Sequence, residues 1–213
     1  MIIAIDGPAA AGKGTLARRI AEHLGLAYLD TGLLYRAVGM KVVHAGANPE
    51  DAGAATEIAE GLTPDDLKAP DLRGDTAADA ASKVSAIPGV RAALLSFQQD
   101  FASNPPDGAK GAVLDGRDIG TVVCPDADAK LFVTASAEVR AERRYKELLE
   151  RGLEAIYTAV LQDMKDRDAR DSNRAVSPLE PAEDAYQLDT SGLDADAAYA
   201  AALNYINMRN QSG

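Results

Sequence analysis

The stretch Gly7-Pro8-Ala9-Ala10-Ala11-Gly12-Lys13-Gly14-Thr15 follows a short apolar run and opens a helical pattern. Glycines at that spacing let a backbone wrap closely round an anion, so that successive amide hydrogens and the first turn of the helix point at negative charge. Lys13 adds a mobile cation. The chemistry this suits is a grip on the phosphates of a nucleoside triphosphate, with the lysine reaching the β and γ positions. The bland alternative is a glycine-rich turn that merely joins strand to helix; strand, spacing and lysine together argue against it. One departure matters. The pattern asks for Ser or Thr directly after the lysine, whereas here Gly14 intervenes before Thr15. The hydroxyl that usually ligates Mg²⁺ is displaced by one residue, which leaves such an ion to water and a carboxylate.

Two further groups could do chemistry. Asp115-Gly116-Arg117-Asp118 follows the apolar run Gly111–Leu114. In open parallel sheets ligands sit beyond the carboxyl ends of the strands, so this tetrad is expected to face the P-loop crevice. Asp115 is then placed to orient waters on Mg²⁺, and Arg117 to hold an acceptor phosphate bidentately. A charged turn with an internal Asp/Arg pair is the plainer reading. Arg167, Arg170 and Arg174 are spaced by three and four, so on a helix they share one face, where like charges oppose one another by ~0.2–0.5 kcal/mol per pair. Asp163 and Asp171, each four residues from Arg167, would compensate in an ordinary salt-bridged helix. The sharper reading is a lid closing over transferring phosphates, because phosphoryl transfer needs charge neutralisation and exclusion of water. Taken alone, the ladder favours the salt-bridged helix.

The elements that must position these groups can be read from periodicity. Met1–Asp6 (MIIAID) reads as a strand buried on both faces. A helix is expected over Lys13–Leu24, with Leu16, Ile20 and Leu24 on its apolar face and Gly25 as its left-handed cap. A strand over Ala27–Leu29 and a helix over Gly32–Ala45, capped by Asp30 or Thr31, follow. Between Asn48 and Ala80 nine acidic residues face only Lys68 and Arg73, which marks a candidate surface insert. Helical patterns resume over Thr76–Ile87 and Val90–Ala102, separated by Pro88-Gly89. Strands are expected at Gly111–Asp115, Lys130–Thr134 and Tyr186–Asp189. Helices are expected at Glu138–Arg151, Glu154–Arg167 and Asp194–Met208, the last with Tyr199, Leu203 and Ile206 on its apolar stripe. Strands alternating with helices indicate a parallel sheet covered on both faces, the α/β class.

Composition narrows the function. The 213 residues suffice for one compact core, and 46% hydrophobic with 26% charged residues is ordinary for a globular chain. The net charge of −11 would repel a phosphate backbone, which disfavours nucleic acid or an anionic membrane as partner. No window reaches the ~18 apolar residues of a spanning helix. The apolar start is cut by Asp6 and Gly7, unlike a signal peptide, so a cytoplasmic location is expected. Cys124, the single cysteine, cannot form an intrachain disulfide and reads as a buried thiol, while His23 and His44 read as solvated surface.

Together these groups resemble the nucleoside monophosphate kinases, and more narrowly the bacterial cytidylate (CMP) kinases. The resemblance is carried by IDGPAAAGKGT (Ile5–Thr15), LDTGLLYR (Leu29–Arg36), ASKVSAIPGVRAAL (Ala81–Leu94), LDGRDIGTVV (Leu114–Val123) and RDARDSNRAVSPL (Arg167–Leu179). These run in the family's order over nearly the whole chain, although GKGT alone is shared with adenylate kinases. The resemblance implies a P-loop NTPase fold in one domain over 1–213, with a small helical NMP-binding insert at 47–105 and a short lid at 163–176. It implies that ATP, with Mg²⁺, is the donor and CMP or dCMP the acceptor, and that the protein is a monomer. It further implies that Gly7 to Thr15 cradle ATP, with Lys13, Arg117, Arg170 and Arg174 at the transferring phosphoryl. Arg36, Arg117 and Arg174 would hold the CMP phosphate, with Thr31 nearby; Ser82, Arg91 and Asp118 would read the cytosine edge, and Arg167 and Asp171 would approach the sugar. A carboxylate such as Asp118 can accept from the N4 donor that separates cytosine from uracil. The sequence departs from the family at Gly61–Asp75, which is short, acidic and without alternating apolar residues, so the antiparallel hairpin of many relatives is expected to be missing. Ala169 and Ser172 also give the lid less charge than the family leads one to expect. A P-loop kinase for another acceptor, a GTPase-like switch and a silent nucleotide-binding protein are the alternatives. No Asn-Lys-x-Asp guanine motif occurs.

Overall fold

The computed structural model describes residues 1–211. Five parallel strands lie in the order β2-β3-β1-β4-β5, with β1 Ile2–Asp6, β2 Ala27–Asp30, β3 Ala112–Asp115, β4 Ala129–Thr134 and β5 Tyr186–Asp189. A parallel sheet is covered on both faces, so its central strands read as continuous apolar runs. Ile3, Ala4, Ile5, Val113 and Leu114 are accordingly fully buried. With β3 on one side of β1 and β4 on the other, the order reverses at β1, and a ligand crevice opens beyond its carboxyl end. The register sets Ile5 beside Asp115 and Asp115 beside Asp30, which brings three sequence-distant loops to one edge.

The helices are α1 Lys13–Leu24, α2 Thr31–His44, α3 Ala52–Glu60, α4 Asp75–Val84, α5 Pro88–Ser103, α6 Ala137–Glu150, α7 Tyr157–Ser172 and α8 Ala195–Gln211. On one face of the sheet Leu16 and Ile20 of α1 and Ile206 of α8 pack on Ile3, Ile5, Leu131 and Leu188. On the other, Ala102 of α5 joins Ala4, Leu29, Leu114, Ile119 and Val123. α1 ends on Gly25 in the left-handed conformation, as its sequence indicates.

The acidic stretch is not a surface decoration. α3 is capped by the Asp51 carboxylate, which accepts from Gly53 N and Ala54 N, and its Ala55 and Ala59 pack with Leu34, Val38, Val84 and Val90. Small alanines let the helices close up while the acids point outward. No hairpin forms there; 3₁₀ turns at Pro64–Lys68 and Pro70–Arg73 cross over α2 instead, burying Leu72. Pro88 does not separate α4 from α5 but starts α5, where its missing N–H costs nothing. α7 begins later and runs further than expected, so Arg167 and Arg170 share one helix and Arg174 lies just past its end. On α8 the buried stripe is Ala198, Ala202 and Ile206, with Tyr199 and Leu203 half-buried.

Candidate active site

Gly7, directly after β1, has φ 142°, and a Cβ there would lie 1.9 Å from the Val133 carbonyl oxygen, so only glycine fits. Gly12 precedes α1 in the left-handed conformation, and no side chain caps the helix. The amides of its first turn are left to an anion. Lys13 is buried; its Nζ donates to Pro8 O at 2.9 Å and lies 3.9 Å from Asp115 Oδ1. Burial first, then the charge of Arg117, pushes the Lys13 ammonium down to about 7. A Cβ on Gly14, the position after the lysine, would sit 3.2 Å from Asp115 Oδ2 and 3.3 Å from Arg18 Nη2, so a carboxylate and a guanidinium crowd that position. Thr15 is exposed and lines a different cleft.

The end of β3 delivers Asp115, Arg117 and Asp118, and the end of α7 meets them. Arg117 Nε donates to Asp171 Oδ2 at 3.1 Å, and Arg174 Nη2 lies 3.3 Å from Asp171 Oδ1, so one carboxylate joins two arginines from separate stretches. Asp171 itself stays below the usual carboxylate range: burial opposes this, but Arg117, Arg174 and Arg167 outweigh it. Of the two acids four residues from Arg167, Asp171 therefore carries the compensation; no ion pair of Asp163 is seen among the described residues. Arg91 and Asp118 form a buried ion pair, and Arg91 Nη1 donates to Ser85 O at 3.1 Å. Arg36 Nη1 donates to Leu72 O at 3.0 Å, which ties it to the second 3₁₀ turn.

This cluster holds more positive charge than it neutralises. Arg91 Nε, Arg167 Nε, Arg174 Nη2 and Ser82 Oγ are buried without a hydrogen-bond partner among the described residues. Burial, reinforced by Arg117, pushes the Arg167 guanidinium down to about 10, and burial also lowers Arg36 and Arg174. Buried donors left unsatisfied are costly, and an anionic ligand would satisfy them.

Two sequence-predicted residues stand apart. Arg170 is exposed and lies 3.7 Å from Asp79 of α4, so it faces the insert rather than the P-loop. The Thr31 hydroxyl donates to Asp115 O at 2.8 Å, which commits its proton to the backbone.

Sequence reasoning missed other residues. Arg140 is buried on α6, forms a two-pronged pair with Asp168 of α7 at 3.0 and 2.6 Å, and donates to Ala9 O of the P-loop at 3.3 Å. Arg143 donates to Thr190 O at 2.7 Å, and the Thr190 hydroxyl donates to Ala11 O at 3.1 Å. Around Thr15, Leu16, Arg143, Thr190 and Leu193 opens a cleft of about 260 Å³ that borders Ala11 and Gly12 of the P-loop. A cavity of about 360 Å³ between α2 and the 3₁₀ turns, by contrast, touches no P-loop residue. Asp6 is buried at the end of β1; its one signal was an acid closing an otherwise apolar strand.

A P-loop beyond the central strand of a parallel sheet, facing an arginine cluster across a crevice, defines a P-loop phosphotransferase. Among solved structures of like fold, an uncharacterized protein from Eubacterium ventriosum superposes with TM-score 0.54 at 15% identity, covering 97% of this chain and 98% of that one. A sugar kinase from Janibacter gives TM-score 0.51 at 16% identity, over 97% and 94%. The narrower assignment comes from sequence. The family model described as cytidylate kinase matches residues 3–208, and this chain belongs to that family. Curated relatives include the cytidylate kinases of Paramagnetospirillum magneticum, 69% identical over 98% of both chains, and Rhodospirillum rubrum, 61% identical over 99% of both.

Proposed function

We propose that this chain transfers the γ-phosphoryl group of ATP to CMP, and to dCMP, giving CDP or dCDP and ADP. The observation that carries the reading is a cluster of buried cations, Lys13 beside Asp115 and Arg117 and Arg174 on Asp171, in which Arg91 Nε, Arg167 Nε and Arg174 Nη2 have no hydrogen-bond partner among the described residues, within a molecule of net charge −11. An acceptor phosphate and a transferring phosphoryl group are the anions such a pocket suits, because the reaction needs alignment and charge stabilisation more than covalent chemistry. Lys13 and the free amides of α1 hold the donor phosphates, and the donor's nucleoside lies in the cleft lined by Thr15, Arg143 and Thr190. Arg117 and Arg174, joined through Asp171, align the acceptor phosphate oxygen, with Arg36 entering from α2. That oxygen is already ionised, so no general base is needed. At the other end the Arg91–Asp118 pair accepts and donates along the cytosine edge.

Asp115 suits Mg²⁺: a hard oxygen donor beside Lys13 and Gly14, where the usual hydroxyl is displaced by one residue. Among the described residues no group of three or more His, Cys, Asp or Glu could hold a metal. When bound, Mg²⁺ supplies neutralisation of the charge between the β and γ phosphates. No helix of the described residues is long and apolar enough to cross a membrane. We take the working form to be a cytoplasmic monomer.

The test is a panel of acceptors (CMP, dCMP, UMP, AMP) with ATP and Mg²⁺, read by product mass. CMP and dCMP should turn over fastest; faster phosphorylation of UMP than of CMP removes the cytosine assignment.

A further inference from the structure

Asp6 lies one residue before the phosphate cradle and is 5% exposed, yet no phosphate-binding role falls to it. Its carboxylate reaches across the crevice floor: Ile119 N donates to Oδ1 at 2.8 Å and Gly120 N to Oδ2 at 2.7 Å. Those two amides open the π-helical turn Ile119–Val123 that directly follows Arg117-Asp118. Val122 N and Val123 N bond to Asp118 O at 2.9 and 3.2 Å, so the turn is anchored on the residue that pairs with Arg91. A third link runs alongside, from Gly116 N to Ile5 O at 2.9 Å. The segment 116–120 is thus fastened to the last two residues of β1, and the side-chain part of that fastening is Asp6.

A cap alone does not call for a carboxylate here. Serine or asparagine would cap a turn without placing negative charge beside a pocket built for phosphates, and burial acts so strongly on Asp6 that its acid is pushed up to about 7. What a carboxylate offers is two oxygens at fixed separation, each taking one amide, on a side chain with little freedom. We infer that Asp6 is a positioning residue for phosphoryl transfer, fixing the Arg117-Asp118 segment against the P-loop and so setting the distance between acceptor and donor. This deepens the proposed function and rests on it.

Asp6→Asn keeps the shape but turns an NH₂ toward one of the two amides, so one fastening bond is lost. At saturating ATP its kcat/KM for CMP should fall ~10- to 100-fold, the order expected when reacting groups shift by about 1 Å. Its affinity for ATP, measured by calorimetry, should hold. Amide hydrogen exchange should quicken in 116–123 and stay unchanged in 7–15. Unchanged CMP kinetics overturns the inference, and so does a parallel loss of ATP affinity, CMP turnover and melting temperature, which is the mark of a purely structural acid. If Asp6→Asn folds poorly, Asp6→Glu, which keeps charge and both oxygens but reaches one methylene further, is measured the same way: CMP turnover falls with ATP affinity held, or the inference fails. If the unaltered protein makes no CDP, the proposed function fails on its own, and the exchange and ATP-binding pair then decides: quickening confined to 116–123 sustains the positioning role, and none removes it.

Discussion

Two side chains at the crevice make opposite demands on charge. Arg117 is wholly committed to the site, held by Asp171 and by Gly116 O at 3.1 Å, and its guanidinium stays above its ordinary range because Asp171 and Asp115 outweigh the burial that opposes it. In the proposed function it meets the acceptor, while the amides of α1 and Lys13 take the donor, so Arg117→Ala should slow kcat ~100- to 1,000-fold, as for removal of one charge-stabilising donor, with ATP affinity changed far less. Single-turnover rates and ATP calorimetry on the same variant check the split; normal turnover would take Arg117 out of the mechanism. Asp6 gives a prediction in pH. Burial raises its acid from 3.8 to about 7, against the pull of Gly120, Ile119 and Lys13. A raised carboxyl means the folded state binds more protons than the unfolded one between those limits, so the stability this group contributes is full at pH below 4 and is lost as pH rises toward 7. The melting temperature of the native protein minus that of Asp6→Asn should therefore fall across pH 4 to 7; a difference that grows with pH would show that the carboxylate is stabilising as an ion.

Helix pairs decide whether the acceptor residues meet. α2 carries Thr31 and Arg36, α4 carries Ser82, and they touch through Gly39, where a Cβ would lie 2.8 Å from Ala80 Cβ and 2.9 Å from Ala80 C. Backbone on the far side cannot yield cheaply, so Gly39→Ala should cost ~1–3 kcal/mol in overpacking, partly offset by alanine's better helix propensity. By spreading α2 from α4 it should raise the KM for CMP several-fold and leave that for ATP alone; equal changes in both would mean the contact does not govern the acceptor side. This contact also marks what the sequence made legible. Leu16 and Ile20 of α1, the apolar runs of β1 and β3, and Gly7 to Lys13 could be read because large side chains at a fixed period and glycines before a lysine have few meanings. α3 could not: Ala55 and Ala59 give little hydrophobic signal, and nine acids round them looked like solvated surface until the alanines were seen to face Leu34 and Val84. The roles of Asp6 and Arg140 were hidden for another reason. Each acts on backbone atoms far along the chain, Asp6 on Ile119 and Gly120 and Arg140 on Ala9, and a backbone amide or carbonyl leaves no mark in sequence.

Over the whole molecule, the charge outside and the charge inside have opposite signs. The insert, with nine acids against Lys68 and Arg73 between Asn48 and Ala80, contributes most of the net charge of −11, while Lys13 and the arginines at 36, 91, 117, 167 and 174 are gathered inward. Both substrates are anions, so they approach against a repulsive far field and meet attraction only at the mouth. Salt acts unequally on these two parts: exposed charges more than a Debye length apart are screened, about 10 Å at 0.1 M, whereas buried or partly buried pairs are screened much less. Raising ionic strength from low to physiological should then relieve the repulsion more than it weakens the grip. kcat/KM for CMP should rise or hold over that range, in contrast to the steep fall that attractive steering produces. Stopped-flow association of CMP at several salt concentrations distinguishes the two, and a steep fall would mean that the arginine cluster projects its field beyond the crevice and overrides the acidic surface around it.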